Sequence, residues 1–152
     1  MAGLGKKSTK PVPLKRLPNF KASFITETFF ADVRKDKINQ GQCFIWAYLA
    51  SQIFEGVETC SIDNHVFVKY RGKFYDSDRP NGEKRWQDLP TCDYPVKRWR
   101  DMGAALDFDH HNSQYRFDRF KRDWGHNLRH FGTTWNKLDA KVKKTLKSGG
   151  YH

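Results

Sequence analysis

"NQGQCFIWAYLA", residues 39–50, is the stretch on which the fold of this chain turns. From Cys43 to Ile53 almost every position is apolar or aromatic, and a helix apolar on every side is a buried one. The segment is expected to form a core helix over Cys43 to Phe54, with Gly56 supplying the left-handed residue that ends it. That helix begins with a cysteine behind a Gly-Gln pair. Free cysteine usually only packs. At the first turn of a helix, however, a thiol faces the positive end of the dipole and unpaired N–H groups, which favour its thiolate. Cys43 is therefore a candidate nucleophile as well as a core residue.

Immediately downstream the period changes. "VETCSI", "HVFVKY" and "KFYDS" are short, alternate in polarity and are separated by Asp63-Asn64 and Arg71-Gly72, both suited to tight hairpin turns. They predict a three-stranded antiparallel meander behind the helix. A two-residue turn at Arg71-Gly72 pairs Tyr70 with Lys73, Phe67 with Asp76 and His65 with Asp78. Side chains alternate along a strand, so His65, Asp76 and Asp78 share one face, with their roots roughly 5 to 8 Å apart. A nucleophilic thiol needs a base, and the base needs a third group to fix its tautomer. His65 is the candidate base. Either carboxylate can orient it, with Asp76 preferred because it lies within the strand, whereas Asp78 already belongs to the turn-like "DSDRPNG".

These residues carry a resemblance. "GQCFIWA" resembles the active-site segment of the transglutaminases, in which Gly-Gln-Cys precedes an aromatic, a β-branched residue, a second aromatic and Ala. "NHVFVKYRGKFYDSD" is similar to the strand-turn-strand that carries His and Asp in the wider transglutaminase-like and papain-like superfamily, and the order Cys, His, Asp agrees. The likeness covers about residues 40 to 90. It implies Cys43 as nucleophile, His65 as base and acid, and Asp76 as orienting carboxylate, with Asp78 as the alternative. The implied chemistry is acyl transfer from an amide or ester, of peptidase, amidase, deamidase or acyltransferase type. The developing oxyanion would be held by the Cys43 N–H and a side-chain donor, with Gln42, Gln40 or a Trp as candidates. Calcium sites and the extra β domains of full-length transglutaminases find no room here, so protein cross-linking is not implied. Small size, a basic arm and flanks without a family likeness are similar to phage-encoded proteins of this superfamily.

The expected fold class is α+β: a buried catalytic helix on a small antiparallel sheet, with additional basic helices at the C-terminus. Upstream, "ASFITETFFADVRKD" spaces Ile25, Phe29 and Val33 as an amphipathic helix with Ser23 or Thr26 as cap. Downstream, Phe117, Phe120 and Trp124 form one stripe, and Trp135, Leu138, Val142 and Leu146 a second, capped by Thr133 or Thr134. Residues 1–22 hold six Lys or Arg and no acid and are expected to form a flexible arm; residues 23–152 form a single domain whose helical part begins near 97.

The net charge of +11 sits at the ends: residues 1–22 carry +6, residues 23–112 carry −2 and residues 113–152 carry +7. Such ends suit contact with nucleic acid or an acidic protein partner, and a basic binding protein on the same fold is the alternative to an enzyme with a protein or peptide substrate. His126 and His130 have helical metal spacing, with His110 and His111 upstream, but without a supporting Glu or thiol pair no metal is expected, nor any cofactor. Three cysteines make no disulfide scaffold, and Cys60 and Cys92 are expected to be structural. No apolar run approaches the roughly 20 residues of a membrane span, and the expected location is the cytoplasm, with no membrane contact.

Overall fold

The core helix α2 (Cys43–Ile53) forms where its composition requires, with every residue but Gln52 buried. It is seen in a computed structural model that describes residues 14–62, 65–92, 113–114, 121–122, 128–129 and 131–149. Phe54 leaves the helix in extended conformation and Gly56 follows at φ +77°, turning the chain into β1 (Glu58–Ile62). β2 (His65–Tyr70) and β3 (Lys73–Tyr75) complete the meander. Arg71 and Gly72 both have positive φ, 48° and 78°, the conformation of the two-residue turn whose twist matches the strands it joins. The register follows: Tyr70 opposes Lys73 and Val68 opposes Tyr75, while Ile62 opposes His65 on the other side.

The architecture is α+β. The sheet exceeds the meander by one strand, since β4 (Ser113–Gln114) pairs antiparallel with β1 and gives the order β3-β2-β1-β4. Two residues are too few for a strand period to show in sequence.

The sheet has two distinct faces. Val66 and Val68 point into a main core built around α2, with Tyr70 and Tyr75 packed against it. Phe67 and Phe74, with Cys60 and Ile62 of β1, point the other way into a smaller core closed by Trp86, Leu89 and Cys92. Trp86 and Cys92 come from the short turns Trp86–Asp88 and Pro90–Cys92 and Leu89 joins the two, so the loop-like stretch after β3 closes this smaller core.

Two expectations for the N-terminal part need correction. The basic arm is shorter than 22 residues: Leu17 N–H donates to Ile53 O at 2.9 Å and Glu55 N–H to Leu17 O at 3.0 Å. Phe20 then sets its ring edge against Phe54 and Tyr75, and Ala22 is buried. Leu17 and Phe20 are held because the end of α2 and the residues after it offer backbone and ring partners that pack them against the main core. Residues 1–13 lie outside the described residues. Further on, α1 (Ala22–Phe29) stops before Val33, and neither Ser23 nor Thr26 caps it. Thr26 instead accepts a hydrogen bond from Trp46 Nε1 at 3.0 Å, satisfying an indole N–H inside the core.

At the other end, α3 (Trp135–Lys147) is capped by Thr134, whose hydroxyl accepts from Lys137 N–H at 3.2 Å, and it buries Leu138 and Val142. It is clasped to α2 by a polar network: the Tyr48 hydroxyl donates to Asp139, which also accepts from Lys121 Nζ at 3.0 Å. Trp135 packs on the Tyr48 ring and donates its indole N–H to Lys121 O. Burial and the Asp139 carboxylate raise the Tyr48 pKa, so the phenol stays protonated and keeps donating. The stripe at Phe117, Phe120 and Trp124, the Asp63-Asn64 turn, and His110, His111, His126 and His130 lie outside the described residues. No helix among the described residues is long and apolar enough to cross a membrane.

Candidate active site

The approach to Cys43 is built to restart a helix. A single turn at Lys35–Lys37 runs into a wide turn at Ile38–Gln42, within which Gln40 (φ −104°, ψ 36°) and Gly41 (φ 136°, ψ −15°) leave helical geometry. Gly41 occupies a backbone region that side-chain-bearing residues rarely adopt. The break makes Cys43 the first residue of α2 rather than the middle of a longer helix. No side chain of the preceding residue caps this helix.

His65 opens β2 at the same end of the sheet, 3% exposed and stacked on Phe67 at 5.7 Å. Its Nε2 lies 2.9 Å from Asp76 Oδ2, and Asp76 is fully buried. The other Asp76 oxygen accepts the backbone N–H groups of Asp78 and Arg79, each at 3.0 Å. A carboxylate only accepts, so Nε2 carries the hydrogen and the neutral ring keeps its lone pair on Nδ1. Nδ1 is buried and has no partner at regular hydrogen-bond geometry. Cys43 is nonetheless close enough to act on the ring through hydrogen bonding and charge, and with Nε2 committed to Asp76 that interaction belongs to Nδ1. A long, imperfectly aligned contact of this kind is common before substrate binds.

Burial of the His65 ring favours its neutral form, but the hydrogen bonds to Asp76 and Cys43 and their charges override it and lift the His65 pKa to about 9. With its pKa at about 9 the ring holds both protons at neutral pH. It can hold a proton taken from a thiol and pass it to a leaving group.

The remaining sequence candidates fall elsewhere. Asp78 does not face His65; its carboxylate accepts from Asn39 Nδ2 at 2.8 Å. The chain turns sharply after Asp76, so side-chain alternation along β3 no longer holds at Asp78. Gln42 lines a cleft of about 110 Å³ with Phe29, Ile45, Leu49 and Phe131, a cleft to whose lining neither Cys43 nor His65 contributes. Gln40 is exposed and accepts from Lys37, and the Trp46 indole N–H is committed to Thr26. Gln40 and Trp46 are thus engaged elsewhere. Cys60 and Cys92 are fully buried in the smaller core. Among the described residues no group of three or more His, Cys, Asp or Glu side chains could hold a metal ion.

Sequence reasoning missed Asn39, which sits two residues before Gly41 with nothing local to mark it, and the Tyr48–Asp139 pair, whose members are 91 residues apart. Comparison with known protein families, curated proteins and solved structures finds no match for this chain.

Proposed function

We propose that this protein is a thiol hydrolase or acyltransferase that acts on an amide or ester bond through Cys43, His65 and Asp76. The observation that carries the reading is the buried His65 ring, held on one side by Asp76 and acting with Cys43, the first residue of a core helix, on the other. In the step proposed, His65 Nδ1 takes the Cys43 proton and the sulfur attacks the carbonyl carbon, moving the π pair to oxygen. The oxyanion is met by the Cys43 N–H. Its collapse breaks the carbon–nitrogen or carbon–oxygen bond, and the leaving group departs with the proton from His65. Water or an amine, deprotonated by the same nitrogen, then releases the acyl group from the thioester.

The test uses p-nitrophenyl acetate with the full chain. Expected are a burst of nitrophenolate and one acetyl group on Cys43 by mass spectrometry, lost in Cys43→Ala. Acetylation absent from Cys43, or burst kinetics unchanged in Cys43→Ala, would overturn the proposal.

A second reading has its own support. Lys137, Lys141, Lys143, Lys144 and Lys147 all stand exposed on α3, away from its buried Leu138 and Val142, and such a face suits a polyanion. In that reading the protein is a basic binding module on the same fold. Salt-sensitive binding to RNA or DNA that survives Cys43→Ala and is lost when the α3 lysines are neutralised favours it.

A further inference from the structure

The turn that supplies Asp76 also reaches the loop that supplies Cys43. Asp76 folds the chain back by accepting the N–H groups of Asp78 and Arg79, and the turn is closed by Gly82 N–H to Arg79 O at 3.0 Å. Glu83 then pairs with Phe74 through two backbone hydrogen bonds of 2.8 Å, and its carboxylate accepts from Arg79 Nε. The turn is thus stapled to β3 at several points. From it the half-buried Asp78 carboxylate extends to Asn39 Nδ2, 39 residues earlier in the chain. Asn39 lies in the wide turn whose other anchor is the fully buried Ile38 and whose next residues are the non-helical Gln40 and Gly41.

We propose that Asp78 is a positioning residue: through Asn39 it ties the start of the Cys43 helix to the turn that orients His65, and so sets the approach of sulfur to Nδ1. The two carboxylates of one turn then divide the work, Asp76 holding the base and Asp78 holding the loop of the nucleophile. This inference rests on the Cys43–His65–Asp76 reading. Two non-helical backbone conformations in a row kink the wide turn just ahead of Cys43, so a side-chain contact from outside it helps to fix its placement. Asn39–Asp78 is a directional contact of that kind, and a misplacement of about 1 Å is enough to cost such chemistry roughly a hundredfold.

The readout is alkylation of Cys43 by iodoacetamide in the full chain, followed by mass spectrometry across pH, with thermal melting as the check on folding. Asp78→Ala and Asn39→Ala are each expected to slow alkylation roughly tenfold or more and to move the pH profile toward that of a free thiol. The double variant is expected to be no slower than either single one, because both remove the same contact. Asp78→Asn retains an oxygen that accepts from Asn39 and is expected to restore most of the rate. Single variants that fold and react as the parent does, with the parent's pH profile, would overturn the proposal. If Asp78→Ala fails to fold, Asn39→Ala against Asn39→Gln, which keeps an amide N–H to donate to Asp78, carries the same comparison. A parent Cys43 that itself reacts like a free thiol at every pH would instead overturn the triad, and the positioning role with it.

Discussion

The two faces of β2 differ in what they do with burial. Val66 and Val68 meet α2 in an apolar core where any side chain of similar volume would serve. On the other face, Phe67 and Phe74 build a second core, yet the row ends in a buried His–Asp pair. Removing two such groups from water costs more than their attraction reliably returns, so a buried pair is weak evidence for stability. One face of the strand is explained by packing. The end of the other is explained by chemistry, and that difference is the best guide to which residues matter for which property.

The sharpest way to break this comparison is to remove the base. His65→Ala is expected to lower the rate of Cys43 acetylation by about 10²- to 10⁴-fold, the range of a general base, while Val68→Ala leaves that rate close to the parent's. Equal losses from both, in stopped-flow nitrophenolate release, would erase the distinction between the faces.

Stability should sort differently. Asp76→Ala strands the buried imidazole and two backbone N–H groups, and is expected to cost about 3–5 kcal/mol in urea unfolding. Val68→Ala, which removes only packing, is expected to cost about 2 kcal/mol. A smaller loss from Asp76→Ala than from Val68→Ala would show the turn after β3 to be less dependent on that carboxylate than its three hydrogen bonds suggest.

The finest test is pH. The His65 pKa is raised in the folded protein to about 9 from an ordinary value of 6.5, so its contribution is fully present below pH 6.5 and is lost as pH rises through 9. By linkage the shift is worth on the order of 3 kcal/mol. The urea midpoint of the parent is therefore expected to fall between pH 6.5 and 9 more steeply than that of His65→Ala, whereas Val68→Ala shifts the whole curve without changing its slope. Parallel curves for the parent and His65→Ala would remove the electrostatic account of the site.

Much of this was present in local sequence. The all-apolar run after Cys43 fixed a buried helix, because no other placement removes so many aromatic rings from water. Arg71-Gly72 fixed the hairpin and its register, because two positive φ values in succession suit only one kind of tight connection. Given that register, alternation brought His65 and Asp76 to the same face without any long-range information. A single Gly at 41 marked where the helix had to break.

What only the tertiary structure decided involves partners distant in the chain. Two carboxylates stood near His65 on paper, and the turn closed by the Asp76 side chain sent one to the imidazole and the other to Asn39. Leu17 and Phe20 read as part of a charged arm until the end of α2 offered them backbone and ring partners. Thr26 read as a cap until a buried indole needed an acceptor. Period and turn chemistry act over a few residues and can be read from them, but the choice among several possible hydrogen-bond partners depends on which group the folded chain brings within about 3 Å.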